Sequence, residues 1–407
     1  PIGDISFRDK GLKFPQPLRA NHAHDRVLGD NVVVTFEGLY SKTLNQFFFV
    51  SRNLAGPQGV DKFGRVLYGT HNATGQSTPI RPAAVEANGG TARFSTAVDV
   101  ENQNKDYAYS LTGQLRKRYR DNWEALIAYT YGRAYDVQSF TSSTHISNWS
   151  FGRTLSTAQE VPNATVSLFD QPHKIVGFYT RTFKWGGMEK MGSWGKRLTT
   201  DLTISYQGVS GSPHDYVYGG FSGRGDLNAD GIQGNDLIYV PKDVNNPGEI
   251  VFAPLTVSGV VRSPAQQAQA FDALINATPC LSESRGKILS RNSCRLPFSN
   301  TWDLTIRQSI PTIADQRLAL TLDIFNFGNA LNKNWGKQRV NVLSGFNNIN
   351  LLTQTGATGV DPATRVPVVT YNYTTFDPTG SGQPQPYQEG NFVSNFWRMQ
   401  IAARYSF

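Results

Sequence analysis

The chain of 407 residues is expected to fold as an all-β, transmembrane antiparallel barrel. Three features carry that expectation. Segments of about ten or more residues alternate apolar and polar side chains with period two, as a strand does when one face meets oil and the other water. Connections between these segments are alternately brief and tens of residues long. The last fifteen residues, VSNFWRMQIAARYSF, alternate strictly and stop on an aromatic. Val393, Asn395, Trp397, Met399, Ile401, Ala403, Tyr405 and Phe407 share one face, and Arg398, Gln400, Ala402, Arg404 and Ser406 the other.

Composition agrees with this and removes other classes. The formal charge is +8, with 39% hydrophobic and 12% aromatic residues, 38 Gly, 21 Pro, 3 Met and 2 Cys. The longest apolar runs, at 32–34 and 47–50, are far too short for a membrane-spanning helix. A mean hydropathy of −0.38 is compatible with a barrel, which hides its lipid face in alternation. Lys and Arg are scattered without a run of five, so nucleic acid is not an expected partner. The chain begins at Pro1 without a signal peptide, and removal of an upstream segment is expected.

Nine strands follow in order. The first, 12–27, is interrupted by Pro15 and Pro17; a tight turn at 28–31 leads to the second, with Val32, Val34, Phe36, Gly38 and Tyr40 against Thr35, Glu37 and Ser41. The third sets Tyr107, Tyr109, Leu111, Leu115 and Tyr119 against Ser110, Thr112, Gln114, Arg116 and Arg118. After a turn at 120–122, the fourth presents Trp123, Ala125, Ile127, Tyr129 and Tyr131. The fifth, 173–185, is poorly patterned because Ile175 and Val176 fall on opposite faces. A Gly-rich turn at 186–195 precedes the sixth, with Leu198, Leu202, Ile204 and Tyr206 against Thr199, Asp201, Thr203, Ser205 and Gln207. The seventh has Trp302, Leu304, Ile306 and Ile310 against Asp303, Thr305, Arg307 and Ser309; after a turn at 311–316 the eighth sets Leu318, Leu320, Leu322 and Ile324 against Ala319, Thr321 and Asp323. The ninth is the terminal strand.

Alternation alone fits a soluble sandwich as well as a barrel. Two further signals favour the inside-out sheet. Connections at 43–105, 136–171, 210–300 and 329–391 are long, as on the outer side of a bacterial barrel. Aromatics such as Tyr40, Tyr119, Trp123, Tyr206, Trp302 and Tyr405 sit at strand ends, where interfacial girdles lie. With Phe407 on the periplasmic side, the long loops are extracellular. Nine strands leave two edges in lipid, so a larger barrel, or extra strands within 43–105 (such as 47–54) or 340–375, is expected.

The segments LKFPQPLRAN, VTFEGLYSKTLNQFFF, YSLTGQLRKRY, LIAYTYGRAYDV, GDLNADGIQGNDLIYVP, INATPCLSESRGKILSRNSCRLPF, LDIFNFGNALNKNWG and the terminal strand, in that order, resemble the C-terminal barrel of TonB-dependent outer-membrane receptors. The Oar-like group, which carries a carboxypeptidase-regulatory-like domain ahead of the plug, is the nearest resemblance, and it covers essentially the whole chain. It implies a 22-stranded barrel with an N-terminal plug and a TonB box, of which this chain would supply the last nine strands. Partners implied are outer-membrane lipid, the TonB complex through an N-terminal part, and the barrel-assembly machinery. That machinery would read the terminal strand at Met399, Ile401, Ala403, Tyr405 and Phe407.

Few motifs point to chemistry. Asp226, Asn228 and Asp230 precede Gly231 in a DxNxDG run, with Asp236 close behind, a spacing that can wrap a hard cation such as Ca²⁺. Position twelve of such a loop is Leu237, which offers no carboxylate; the alternative is an Asx-stabilised turn. Cys280 and Cys294 are the only cysteines and are expected to form a disulfide, which for a loop of about 15 residues stabilises by ~3 kcal/mol. Residues 265–275, after Ser263 and Pro264, read as a short helix ornamenting the barrel mouth. His22 and His24 share a face without a third ligand, and no hydrolase, P-loop or dinucleotide motif occurs, so no enzyme is expected. Glu37, Gln114, Arg116, Arg118, Asp201, Gln207, Asp303, Arg307, Asp323, Arg398 and Arg404 are expected to face the lumen. The expected function is uptake of a substrate of unknown identity through the barrel; the alternative is a structural or adhesive surface protein.

Overall fold

In the computed structural model, the wall is a meander in which each strand pairs with its successor. The structure describes all residues except 1–2, 30, 83–93, 156–157, 186–191, 193–197, 258, 314–315, 341–347, 373–387 and 391. In chain order the principal strands are β1 (Gly3–Arg8), β2 (Gln16–Leu28), β3 (Val32–Ser51), β4 (Phe94–Gln103), β5 (Tyr107–Arg120), β6 (Trp123–Asp136), β7 (His173–Lys184), β8 (Thr199–Val209), β9 (Pro213–Gly219), β10 (Ser299–Pro311), β11 (Arg317–Phe325), β12 (Asn348–Ala357), β13 (Pro367–Tyr371) and β14 (Arg398–Ser406). Two helices matter below: α1 (His145–Phe151) and α2 (Pro264–Ala277). Nine of the strands pair antiparallel in the order β2-β3-β5-β6-β7-β8-β10-β11-β14. These are the nine expected segments.

The register aligns like with like. Ile204, Leu304, Ile324 and Met399 form one row across four strands, while Thr182, Asp201, Arg307, Thr321 and Ala402 form a row on the opposite face. Phe36, Leu111, Ile127, Tyr179, Ile204, Trp302, Leu320 and Ile401 are exposed on the apolar side, Ile401 by 72%. The polar side is cross-linked by Thr112 with Thr130 and Thr180 with Thr203, each at 2.9 Å, and by Thr305 donating to Asp323 at 2.7 Å. A soluble sandwich would bury the apolar side instead; this sheet is turned inside out.

The weak pattern of β7 has a local cause. Ile175, Gly177 and Tyr179 lie on the apolar side, so Val176 and Phe178 fall on the polar side, beside Ala128 and Leu126. The four make an apolar patch on an otherwise polar face. In the turn between β5 and β6, Asp121 and Asn122 take φ of 55° and 64°, the left-handed pair that a two-residue hairpin demands and that Asp and Asn tolerate. The turn at 186–195 lies largely outside the described residues.

Extra strands exist in both expected ranges, β4 within 43–105 and β12 and β13 within 340–375, but 47–54 is not one of them. Residues 47–51 are the tail of β3 rather than a separate strand; they pair with β4, which runs into β5 along the same edge of β3. β1 joins β4 in parallel. β12 and β13 lie within 340–375 but leave the wall, forming a mixed sheet in the order Val251–Phe252, β13, β12, β9, Cys294–Arg295.

The long connections therefore are not structureless. Segments from 210–298 and 348–372 build a cap with its own core, which includes Tyr216, Val217, Leu237, Ile238, Leu289, Ile349, Leu351, Leu352 and Tyr371. Helix α2 belongs to that core. Ser263 Oγ accepts the Gln266 N–H at 3.3 Å and Gln266 Oε1 accepts the Ser263 N–H at 2.9 Å, a complete capping box. Ala268, Phe271, Leu274 and Ile275 are buried against the sheet, the three larger side chains contributing roughly 1.5–3 kcal/mol each. The helix expected as an ornament is a structural wedge.

Candidate functional site

Two regions gather the residues singled out by the sequence: the polar face of the wall and the loop 225–236 in the cap.

On the wall, Glu37 accepts from Asn21 Nδ2 at 2.8 Å, Asp201 from Thr182 Oγ1 at 2.7 Å, and Asp303 from the Asn326 N–H at 2.7 Å. The Arg398 guanidinium sits 5.2 Å from the Phe325 ring, and Arg404 lies opposite Ala319. Arg116, Arg118 and Arg307 are exposed on the same face, Arg307 in register with Asp201. Where the upper ends of β7, β8 and β10 meet the connection after β11, Lys174, Gln207, Ser299, Thr301 and Arg339 line a cavity of about 460 Å³. Of the assembly-signal residues, Met399, Ile401, Tyr405 and Phe407 are exposed on the apolar face, and the Tyr405 hydroxyl bonds Gln316 across the short turn. His22 and His24 lie opposite Gly38 and Phe36 on β3, exposed.

The cap loop is built differently. Gly225, Ala229, Gly231 and Gly234 all take positive φ, and Gly231 at 94° is a conformation only glycine adopts without strain. The chain coils so that Asp226 Oδ1 and Asn228 Oδ1 converge on the Asp230 N–H at 3.1 and 3.0 Å. Asp226 Oδ2 also accepts from the Gly231 N–H at 2.9 Å and from Ser77 Oγ at 2.6 Å. Asp230 Oδ1 takes the Ile232 N–H at 2.7 Å; its Oδ2 faces three amide groups, Gln159 Nε2 at 2.5 Å, Asn228 Nδ2 at 2.9 Å and Asn235 Nδ2 at 3.4 Å. Asp236 turns the other way: Oδ2 caps the Leu227 and Asn228 N–H groups at 2.7 and 3.3 Å, and Oδ1 pairs with Arg65 at 2.9 Å.

All three carboxylates are buried. Burial raises the pKa of each; repulsion from Asp230 and Asp236 adds to it at Asp226, and Asp236 is pushed up to about 7 with Arg65 opposing the rise. Asp226 and Asp230 line a second cavity of about 410 Å³, shared with Ser77, Trp149 of α1 and Gln233. Among the described residues no three His, Cys, Asp or Glu side chains form a metal-holding group, so oxygen donors here would combine two carboxylates with asparagine amides.

Cys280 and Cys294 are joined in a disulfide with Cα atoms 5.2 Å apart. Long-range partners fasten the cap and the loop, and none had a local signal. Arg65, Ser77 and Gln159 reach the loop from segments 71 to 171 residues distant. Arg291 pairs with Asp136 at the end of β6 at 2.8 Å, and Arg295 with Asp170 at 2.5 Å, tying cap to wall.

A family model described as an outer membrane beta barrel domain matches residues 4–365. No curated protein matches the chain.

Proposed function

Because the chain belongs to the outer membrane beta barrel domain family and is an outer-membrane barrel protein, we propose that it forms part of the barrel of a TonB-dependent receptor of the Oar-like group. In this reading it imports a substrate too large for porins. The observation that carries the reading is the polar face of the nine-strand wall, rising into the polar cavity of about 460 Å³ beneath the long connections. Glu37, Asp201, Arg307, Asp323 and Arg404 would line the lumen, and the cap would stand on the extracellular side with Phe407 in the periplasm. Lys174 and Arg339, with Gln207 and Thr301, offer hydrogen bonds and positive charge to a hydroxylated or anionic substrate.

Strains with and without the gene are grown on mixed oligosaccharides, peptides and iron chelates, and depletion of each is followed by mass spectrometry, with the energy-transducing complex present or deleted. Loss of one class of uptake in both single deletions is expected. A second reading, a structural or adhesive surface protein, is favoured by the independently cored, disulfide-closed cap. Unchanged uptake with lost surface attachment would replace the first reading with this one.

A further inference from the structure

We propose that the loop 225–236 is a divalent-cation site, suited to Ca²⁺, with ligands from Asp226, Asn228, Asp230 and the Asn235 amide oxygen. Two independent observations meet there. The first is charge: three buried carboxylates hydrogen-bond within one loop, and Arg65 is committed to Asp236 on the far side. Among the described residues the hydrogen bonds to Asp226 and Asp230 come from neutral donors, an arrangement that costs several kcal/mol per ion when nothing compensates it. The second is an orphan: Asn235 is fully buried, its Nδ2 lies 3.4 Å from Asp230 Oδ2, and its Oδ1 has no hydrogen-bond partner. The amide nitrogen thus faces the Asp230 carboxylate, and the buried oxygen of the same amide, without a donor among the described residues, is a group that a cation would satisfy.

The donor chemistry selects the ion. Every candidate atom is a carboxylate or amide oxygen, the ligands of a hard cation. Ca²⁺ accepts six to eight oxygens at irregular angles, whereas Mg²⁺ demands near-ideal octahedral geometry that a coiled Asx loop does not impose. The cavity of about 410 Å³ lined by Asp226 and Asp230 supplies an entry path and room for coordinated water. Through the Ser77 and Gln159 contacts, a bound ion would brace the cap loop against two segments outside the cap. The proposal is independent of whether the barrel transports.

The full-length protein in detergent, stripped with EDTA, is equilibrated with radioactive Ca²⁺ and followed by thermal unfolding. One saturable Ca²⁺ per chain and a higher unfolding midpoint are expected, with Kd in the roughly 10⁻⁴–10⁻³ M range of extracellular sites. Asp226→Asn and Asp230→Asn keep the side-chain shape and relieve the repulsion, while each turns one amide NH2 toward a donor; each should weaken binding by more than about tenfold in protein that folds in EDTA. Circular dichroism in EDTA checks the folding. Absence of saturable binding in the unaltered protein, or undiminished binding in both variants, overturns the site.

Discussion

Asp215, on β9, shows how burial writes a pH dependence into the cap. Its carboxylate accepts from Thr154 Oγ1 and the Asn292 N–H, each at 2.5 Å, yet burial outweighs these bonds and raises its pKa to about 6. The unfolded chain loses this proton near pH 4, about two units earlier. Between pH 4 and 6 the folded cap holds a proton that the unfolded chain has released, so the contribution of Asp215 to stability is most favourable below pH 4 and is lost as pH rises through 6. The limb is on the order of 3 kcal/mol. Asp215→Asn should make the slope shallower in denaturant titrations of cap unfolding across pH 4–6, leaving the part that Asp236, raised to about 7, contributes; a variant that keeps the original slope would exclude Asp215 as a source. Residues of this kind were not legible in the sequence. Asp226, Asn228 and Asp230 stood out because their spacing is local, and Cys280 and Cys294 because there are no others. Arg65 and Gln159 did not, because chain folding alone brings them to the loop.

At the level of elements, period-two alternation made the strands readable and its failure has a physical origin. β7 blurs because Val176 and Phe178 pack with Leu126 and Ala128 on the polar side. α2 was legible from Ser263, Pro264 and the apolar spacing, whereas its burial was not, because it depends on β12 and β13, strands expected within 340–375 as further wall and found instead in the cap. The same two-faced logic predicts unequal costs on β14. Ile401 lies on the exposed apolar face and Ala402 on the polar one, opposite Thr321. Ile401→Arg should destabilise the folded barrel by roughly 2–4 kcal/mol if it sits near the bilayer midplane. Ala402→Arg should cost well under half of that, since its side chain enters a polar space. Reversible unfolding in lipid vesicles measures both; equal costs would mean that the faces are wrongly assigned.

The whole molecule presents a tension between wall and edges. β2 and β14 are the ends of the meander, each paired on one side and exposed along its length. An edge strand in hydrocarbon leaves backbone groups unsatisfied at several kcal/mol each. Two solutions exist: β14 closes on β2 directly, or both edges meet further strands and the nine form an arc of a wider cylinder. Ala23 and Ala402 discriminate between them, because the register puts both on the polar face, one on each terminal strand. Direct closure would bring spin labels at these positions to within roughly 10–15 Å, label arms included, since paired strands lie about 4.8 Å apart. An arc spaces them by eight strand intervals, roughly 40 Å along the sheet and about 30–40 Å across the chord of a wide barrel. The wall's polar face and the cap above it require room for a passage, so the longer distance is the expected result of dipolar spectroscopy. A distance under about 15 Å would leave a lumen filled by its own side chains, as in barrels of about eight strands, and would remove transport from the functions open to this chain.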